Sequence, residues 1–256
     1  MKDERHAKIL ELLYQKQSVQ VKELMELFRV SDETIRRDFL ALEKQGLLRC
    51  VHGGAVYDSP TSREYHVNLR IQQNQQEKEA VCRTAAELVK DGDSIAIAAS
   101  TTALSLGVHL TQRNHLTVIT NSVYLANQIV RNTSNTVHLV GGAFWGKEQK
   151  NMGARAVEMF RQFQVDKAFF SVAGISQEKG IMEYTEAEQE LTRAVIACAR
   201  KRILLTDFSK FDVMALCKIA DIQQVDHIVT DWHLGIKELR PYQALGIQLH
   251  RAQRFS

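Results

Sequence analysis

Proline is nearly missing from this chain, with two residues in 256, and glycine is held to 13. That scarcity excludes collagen-like and low-complexity architectures and leaves little room for long flexible segments. The four cysteines, Cys50, Cys82, Cys198 and Cys217, lie far apart, form no Cys-x-x-Cys pair and have no histidine at zinc-site spacing. Reduced thiols are expected, with neither a metal nor a cofactor. No stretch approaches the ~18 apolar residues of a membrane span, and the opening MKDERHAKIL mixes both charge signs where a leader would carry an apolar core. A soluble, cytoplasmic protein without a membrane partner is the expectation. Charge of one sign is lacking too: 33 basic against 30 acidic residues leave a formal +3, too little to argue a nucleic-acid partner from bulk electrostatics. What remains is ordinary globular composition, 45% hydrophobic and 25% charged.

Periodicity divides the chain. Residues 1–57 read as helices followed by a Gly-Gly turn, whereas from about 77 to 256 short apolar runs alternate with amphipathic stretches. Between them, 58–76 holds Pro60 and small polar residues and reads as a linker, although Gln72-Gln-Asn-Gln-Gln76 can equally open the helix running to Leu88. In the first segment Ile9, Leu10, Leu13 and Tyr14, then Val21, Leu24, Met25 and Phe28, recur at helical spacing. Ser31 can cap a third helix that buries Ile35, Phe39 and Leu42, with Asp32 and Glu33 in its first turn. Gln45-Gly46 stops it, and residues 47–57 look like a small hairpin. In the second segment Ser94–Ala99, Leu116–Thr120, Thr136–Val140, Lys167–Val172, Arg202–Thr206, His227–Thr230 and Ile247–His250 are expected strands. Helical patterns at Thr102–Leu110, Ser122–Arg131, Ala154–Phe163 and Glu186–Ala199 separate most of them. The fold class is therefore α/β: a mostly helical amino-terminal helix-turn-helix with a wing, joined to a larger domain with a mostly parallel sheet that binds ligands beyond the carboxyl ends of its strands.

A helix-turn-helix with a trailing hairpin fits the DNA major groove, and the third helix carries Arg36 and Arg37. A guanidinium fork reads guanine O6 and N7 or grips a phosphate, and Ser31 and Thr34 add hydroxyls at the helix start. Lys44 follows, and Arg49 and His52 sit on the wing. Residues 1–57 hold ten basic against nine acidic side chains, so an arginine pair here is also what an ordinary solvated face looks like.

In the larger segment, Ser100-Thr101-Thr102 and Thr120-Asn121-Ser122 follow neighbouring strands. Their hydroxyls and backbone N–H groups suit an anion, although Ser and Thr also serve as plain helix caps. Gly141-Gly142 permits close backbone approach, with Lys147 soon after as a phosphate partner; it is otherwise a tight turn. Asp207 follows a strand directly, where it can accept sugar hydroxyls beside the charge of Lys210.

The run Val30-Ser-Asp-Glu-Thr-Ile-Arg-Arg-Asp-Phe39, followed by Leu42-Glu43, Gly46-Leu47 and His52-Gly-Gly-Ala55, resembles the amino-terminal signature of the DeoR family of bacterial transcriptional regulators. Phe39 stands where the family usually has Leu. The order Ser100-Thr-Thr102, Thr120-Asn-Ser122, Gly141-Gly142, Gly153, Asp166, Gly174, Gly180, Glu188 and Asp207-x-Ser-Lys-Phe211 is similar to the effector domain of the same family, so the likeness covers nearly the whole chain. It implies a winged helix-turn-helix with Ser31–Gln45 as recognition helix, and a second domain shaped like ribose-5-phosphate isomerase. It also implies repression of a carbohydrate operon, relieved by a phosphorylated sugar or related metabolite. The chain departs from the family at Ala98 and Ser100, where an acid and a glycine are usual, at Trp145, where an arginine is usual, and at Thr185, where an acid is frequent.

Two other functions compete. Isomerase-type chemistry needs a positioned carboxylate or His, and Val172-Ala-Gly-Ile-Ser176 supplies none, which argues against an enzyme. A winged helix can also dock on protein, but protein partners seldom match the salt dependence of DNA. One recognition helix reads only a few base pairs, so a homo-oligomer, dimer or tetramer, on a double-stranded operator is expected.

Overall fold

The computed structural model describes residues 5–254 apart from 7, 11, 14–17, 45–47, 57–69, 72 and 147. It divides into two compact units, Met1–Arg70 and Ile71–Ser256. The expected linker falls largely outside the described residues, and its last two positions belong to the first helix of the second unit, which begins at Gln75. Tyr14, Gln45 and Gly46 also lie outside the described residues.

In the first unit, helical residues between 5 and 13 precede β1 (Ser18–Gln20), α1 (Val21–Phe28), α2 (Asp32–Lys44), β2 (Arg49–Val51) and β3 (Gly54–Val56). Arg29 closes α1 in the left-handed region at φ 53°, its N–H donating to the Met25 carbonyl, and this turns the chain into α2. The three strands pair in the order β1-β3-β2. The sequence reading omitted β1, which is only three residues long; its register is held by Gly54, where a Cβ would come within 2.2 Å of the Val19 carbonyl oxygen. Ile9, Leu10, Leu13, Val19, Leu24, Ile35, Phe39 and Leu42 form the core, and Phe39 is fully accommodated there.

The second unit is a doubly wound sheet. Its seven strands are β4 (Ser94–Ile97), β5 (Thr117–Thr120), β6 (Thr136–Leu139), β9 (Val165–Phe170), β12 (Ala199–Leu205), β14 (His227–Thr230) and β15 (Gln248–Arg251). Every neighbouring pair is parallel, in the order β15-β14-β12-β9-β4-β5-β6. All seven expected strands are there. Parallel strands buried on both faces show continuous apolar runs, and Phe169 and Phe170 on β9 point into opposite cores. One face packs helices α3 (Gln75–Ala86), α4 (Leu106–Leu110) and α5 (Val123–Ile129) through Val81, Leu106 and Leu125. The other packs α6 (Ala154–Arg161), α7 (Glu186–Ala197) and α8 (Ile236–Ala244) through Phe160, Val195 and Tyr242.

Chain order reverses between β4 and β9, the position where doubly wound sheets open a ligand crevice at their carboxyl edge. At the opposite edge Asp166 closes the same pair of strands. Its carboxylate accepts Ser94 N–H at 3.0 Å and the Ser94 hydroxyl at 2.6 Å, so this acid is a brace.

Several elements differ from expectation. The hairpin β7 (Ala143–Trp145) and β8 (Lys150–Met152) and the antiparallel sheet of β10 (Gly174–Ser176), β11 (Gly180–Glu183) and β13 (Cys217–Ala220) were not foreseen, because three- and four-residue strands give too few alternations. Helix α8 went unread since Pro241 interrupts its pattern. The helix expected from Thr102 opens instead as a 3-10 turn, Ala103–Ser105, whose first N–H is taken by the Ser100 hydroxyl at 3.0 Å. Cys82, Cys198 and Cys217 are buried free thiols and Cys50 is partly buried. Among the described residues no helix is long and apolar enough to cross a membrane, and no group of three or more His, Cys, Asp or Glu could hold a metal.

His227 on β14 and His250 on β15 meet at 3.0 Å, ring over ring. Burial pushes both pKa values down; for His227 the His250 ring and the charges of Lys201 and Lys167 add to this while Asp226 opposes it, and for His250 Glu87 opposes it. The native state then binds fewer protons than the unfolded chain as pH falls below ~6.5, so stability drops on acidification through that range. Urea unfolding at pH 7.5 and 5.5 checks this. The double variant His227→Gln/His250→Gln should lose less stability between the two than the wild type, and equal losses would refute the assignment.

Candidate DNA interface and effector site

Helix α2 is capped as its sequence suggests. The Ser31 hydroxyl accepts the Thr34 N–H at 3.3 Å and lies 2.9 Å from the Thr34 hydroxyl. With Ile35, Phe39 and Leu42 inward, Arg36 and Arg37 stand on the outer side, their side chains 58% and 76% exposed. Each is tethered one turn back, Arg36 to Asp32 and Arg37 to Glu33, the latter at 3.4 Å. Lys44, Arg49 and His52 are exposed as well. The wing is tied to the helix by the Cys50 N–H, which donates to the Glu43 carboxylate at 2.6 Å.

The remaining acid of the signature faces the other way. Asp38 is buried; Arg5 donates to it from Nε at 2.6 Å and from Nη2 at 3.2 Å, and His6 Nε2 lies 2.9 Å away. Burial alone would raise its pKa, but the Arg5 and His6 bonds outweigh that and hold the carboxyl below the usual range. This clamp fixes the aim of α2 against the first helical stretch. Sequence reasoning missed it, since partners 32 and 33 residues apart share no motif.

In the larger unit the described candidates after β4, β5, β6 and β12 follow carboxyl ends of parallel strands, but they divide by role. Asn121 is fully enclosed: its Oδ1 accepts the Ala99 N–H at 2.8 Å and its Nδ2 donates to the Asn151 carbonyl at 2.9 Å. Ser122 caps α5 by accepting the Leu125 N–H, and the buried Thr102 hydroxyl meets Ser171 at 3.2 Å across β4 and β9. These three brace the strand ends. Ser100 and Thr101 are only half-buried, and the Lys78 ammonium on α3 reaches the Thr101 hydroxyl at 3.5 Å. Gly141 is exposed, while Gly142, at φ 146°, lies so close to β8 that a Cβ would come within 2.5 Å of the Met152 carbonyl oxygen. Lys147 lies outside the described residues.

Asp207 is wholly buried. Its Oδ1 accepts Asn74 Nδ2 at 3.0 Å, the Ser209 N–H at 3.0 Å and the Ser209 hydroxyl, while Oδ2 has no partner among the described residues. Beside it Asp231 accepts the Phe208 N–H at 2.7 Å and the His233 N–H at 2.8 Å.

A second charged group gathers at the same edge, and of its members only Glu188 and Trp145 figure in the sequence reading. Lys150 on β8 is buried between Glu148 at 2.6 Å and Glu188 at 3.0 Å, its ammonium 5.3 Å from the Trp145 ring centre. β8 also bridges to Ser122, which brings this group beside the β5 loop. Burial alone would lower the Lys150 pKa; Glu188 and Glu148 raise it above the ordinary value. Glu183 on β11 is pushed up to about 8, by desolvation first and by the Glu188 charge second, with Lys150 and Lys210 pulling back. A polar residue on a strand otherwise made of Gly180, Ile181 and Met182 was the signal that could have found it.

Between pH ~4.5 and ~8 native Glu183 keeps a proton that the unfolded chain releases, so its contribution to stability declines as pH rises through that window. Glu183→Gln should therefore unfold at higher urea than the wild type at pH 8.5, with the advantage shrinking at pH 5. Parallel stability curves would show that Glu183 is ionised in the fold.

Comparison with known proteins finds two family models along the chain. A DeoR-like helix-turn-helix domain matches residues 5–61 and a DeoR C terminal sensor domain matches residues 73–232. The HTH-type transcriptional regulator GolR of Listeria innocua is 33% identical over 250 residues, covering 98% of both chains. The transcriptional repressor AccR of Agrobacterium fabrum is 33% identical over 89% of both chains. The glycerol-3-phosphate regulon repressor of Escherichia coli is 30% identical over 89% of this chain and 90% of its own. Among solved structures, ribose 5-phosphate isomerase A of Methanocaldococcus jannaschii aligns with 54% of this chain and 55% of its own at 18% identity and a TM-score of 0.40. With both domain models matched in order and relatives aligned end to end, the chain belongs to the DeoR family of transcriptional regulators.

Proposed function

We propose that the protein is a cytoplasmic repressor that binds a double-stranded operator through α2 and its wing and is released by a small phosphorylated sugar or related metabolite. The observation that carries the DNA reading is the pairing of a rigid inner side of α2, clamped at Asp38, with an outer side presenting Arg36 and Arg37. A guanidinium held on a fixed helix can meet a base edge repeatedly in one geometry. Arg49 and His52 on the wing and Lys44 add backbone contacts, and Ser31 and Thr34 sit at the helix start where a phosphate approaches. A dimer or tetramer supplies the half-sites one module cannot read alone.

The effector reading rests on the carboxyl edge at the β4/β9 reversal. Ser100 and Thr101 offer hydroxyls, Gly141 open backbone, Lys210 positive charge and Asp207 an acceptor for a sugar hydroxyl. One relative is named for a phosphate ester, the glycerol-3-phosphate regulon repressor, and another is a putative aga operon transcriptional repressor. The protein acts by binding rather than by turnover. The segment Val172–Ser176, which follows β9 at the carboxyl edge, holds no carboxylate for proton transfer and runs into β10.

A duplex selected by the full chain from a random pool tests the first half. Its affinity should fall steeply with salt, log–log slope about −0.9 per phosphate neutralised, and Arg36→Ala or Arg37→Ala should either flatten that slope by about one or erase preference at one base position. No change in both variants contradicts the interface. For the second half, a thermal-shift panel of sugar phosphates should contain a compound that stabilises the chain by ~2.7 kcal/mol at one hundred times its dissociation constant, an effect Asp207→Ala removes.

A further inference from the structure

Asp207 uses its two carboxylate oxygens unequally. Oδ1 takes three donors, Asn74 Nδ2, the Ser209 N–H and the Ser209 hydroxyl, while Oδ2, equally shut away from solvent, takes none among the described residues. A buried acceptor without a donor is costly, and among the described residues few side-chain atoms share that condition. Asn74 is the other unusual partner. It stands four residues beyond the division between the two units, so it lies on the covalent path from the helix-turn-helix to the sensor. Its backbone is in the left-handed region at φ 51° immediately before α3, and its amide caps nothing in that helix. Instead it reaches across 133 residues to Asp207 and, at 3.2 Å, to the Ser209 hydroxyl. Its carbonyl accepts the Lys78 N–H at 2.9 Å, and the Lys78 ammonium touches Thr101 on the β4 loop.

We infer that Asn74 is the residue through which the sensor reports its occupancy to the DNA-binding unit, the Asn74–Asp207 bond being the contact that an effector weakens. This deepens the proposed function and rests on it. A hydroxyl donated to Oδ2 withdraws negative charge from a carboxylate already saturated on Oδ1, and the donor with the fewest other restraints is the one loosened. Ser209 is tied to Asp207 two residues away by backbone and side chain together, whereas Asn74 meets Asp207 through its side-chain amide alone. Losing that hold unties the residue immediately before α3 from the β12 loop, at the point where the chain from the first unit enters the second. Coupling of this kind needs a ligand to interact differently with two states of one element, and the shared carboxylate provides that difference.

The test uses the full chain and a duplex that the wild type selects from a random pool. Asn74→Ala breaks the bond without touching the recognition helix, so affinity should fall by at least fivefold while the melting temperature of the sensor unit is kept. Asp207→Ala removes the shared acceptor, and the double variant Asn74→Ala/Asp207→Ala should bind no more weakly than the weaker single variant, because both act through one bond. Independent structural damage would add instead. Wild-type affinity in Asn74→Ala, or additive losses in a double variant that melts normally, overturns the inference and leaves the DNA reading intact. A wild type that selects no duplex at all overturns the DNA reading itself.

Discussion

Seven parallel strands deliver every carboxyl end to one edge, and that single constraint organises the second unit. Parallel pairing forces each connection back over a face of the sheet, so helices cover both sides and the loops that carry chemistry collect where the strands stop. The reversal of chain order between β4 and β9 sends their connections to opposite faces and parts the loops there. Ser100, Thr101 and the Lys78 that reaches over them owe their neighbourhood to this rule, as does the position of Asp207 one strand beyond β9.

The first unit solves a different problem with the same economy. A thirteen-residue helix that must present two arginines outward needs its roll angle fixed, and apolar packing by Ile35, Phe39 and Leu42 alone permits small rotations. The bidentate Arg5 contact to buried Asp38 removes that freedom, because a charged acceptor enclosed by protein cannot trade its partners for water. The acid and the arginines are adjacent in sequence yet do opposite work, one inward and two outward.

How far the sequence disclosed this depended on the length of each pattern. The seven main strands were legible because consecutive Val, Ile and Leu leave a strong apolar signal, and α2 because a cap, an acidic first turn and a 3.6-residue period coincide. The short strands β1, β7, β8, β10, β11 and β13 were not, since pairing in three dimensions rather than local propensity makes them. Site residues divided the same way. Ser100, Thr101 and Asp207 announce themselves directly after strands, whereas Lys150 and Glu183 sit on short strands and are assembled only by the tertiary fold. Asn121 and Thr102 look identical to them in sequence, but their hydrogen-bonding capacity is absorbed internally.

The tethering of Arg36 by Asp32 and of Arg37 by Glu33 also shapes how such a molecule would travel along a chromosome. Each of the two arginines on the outer side of α2 arrives with a carboxylate one turn behind it, so on the proposed reading a random stretch of duplex would gain little from contact with them. If the proposed interface holds, dwell on irrelevant DNA would be shortened, and long residence reserved for the stretch whose base edges repay the exchange of partners.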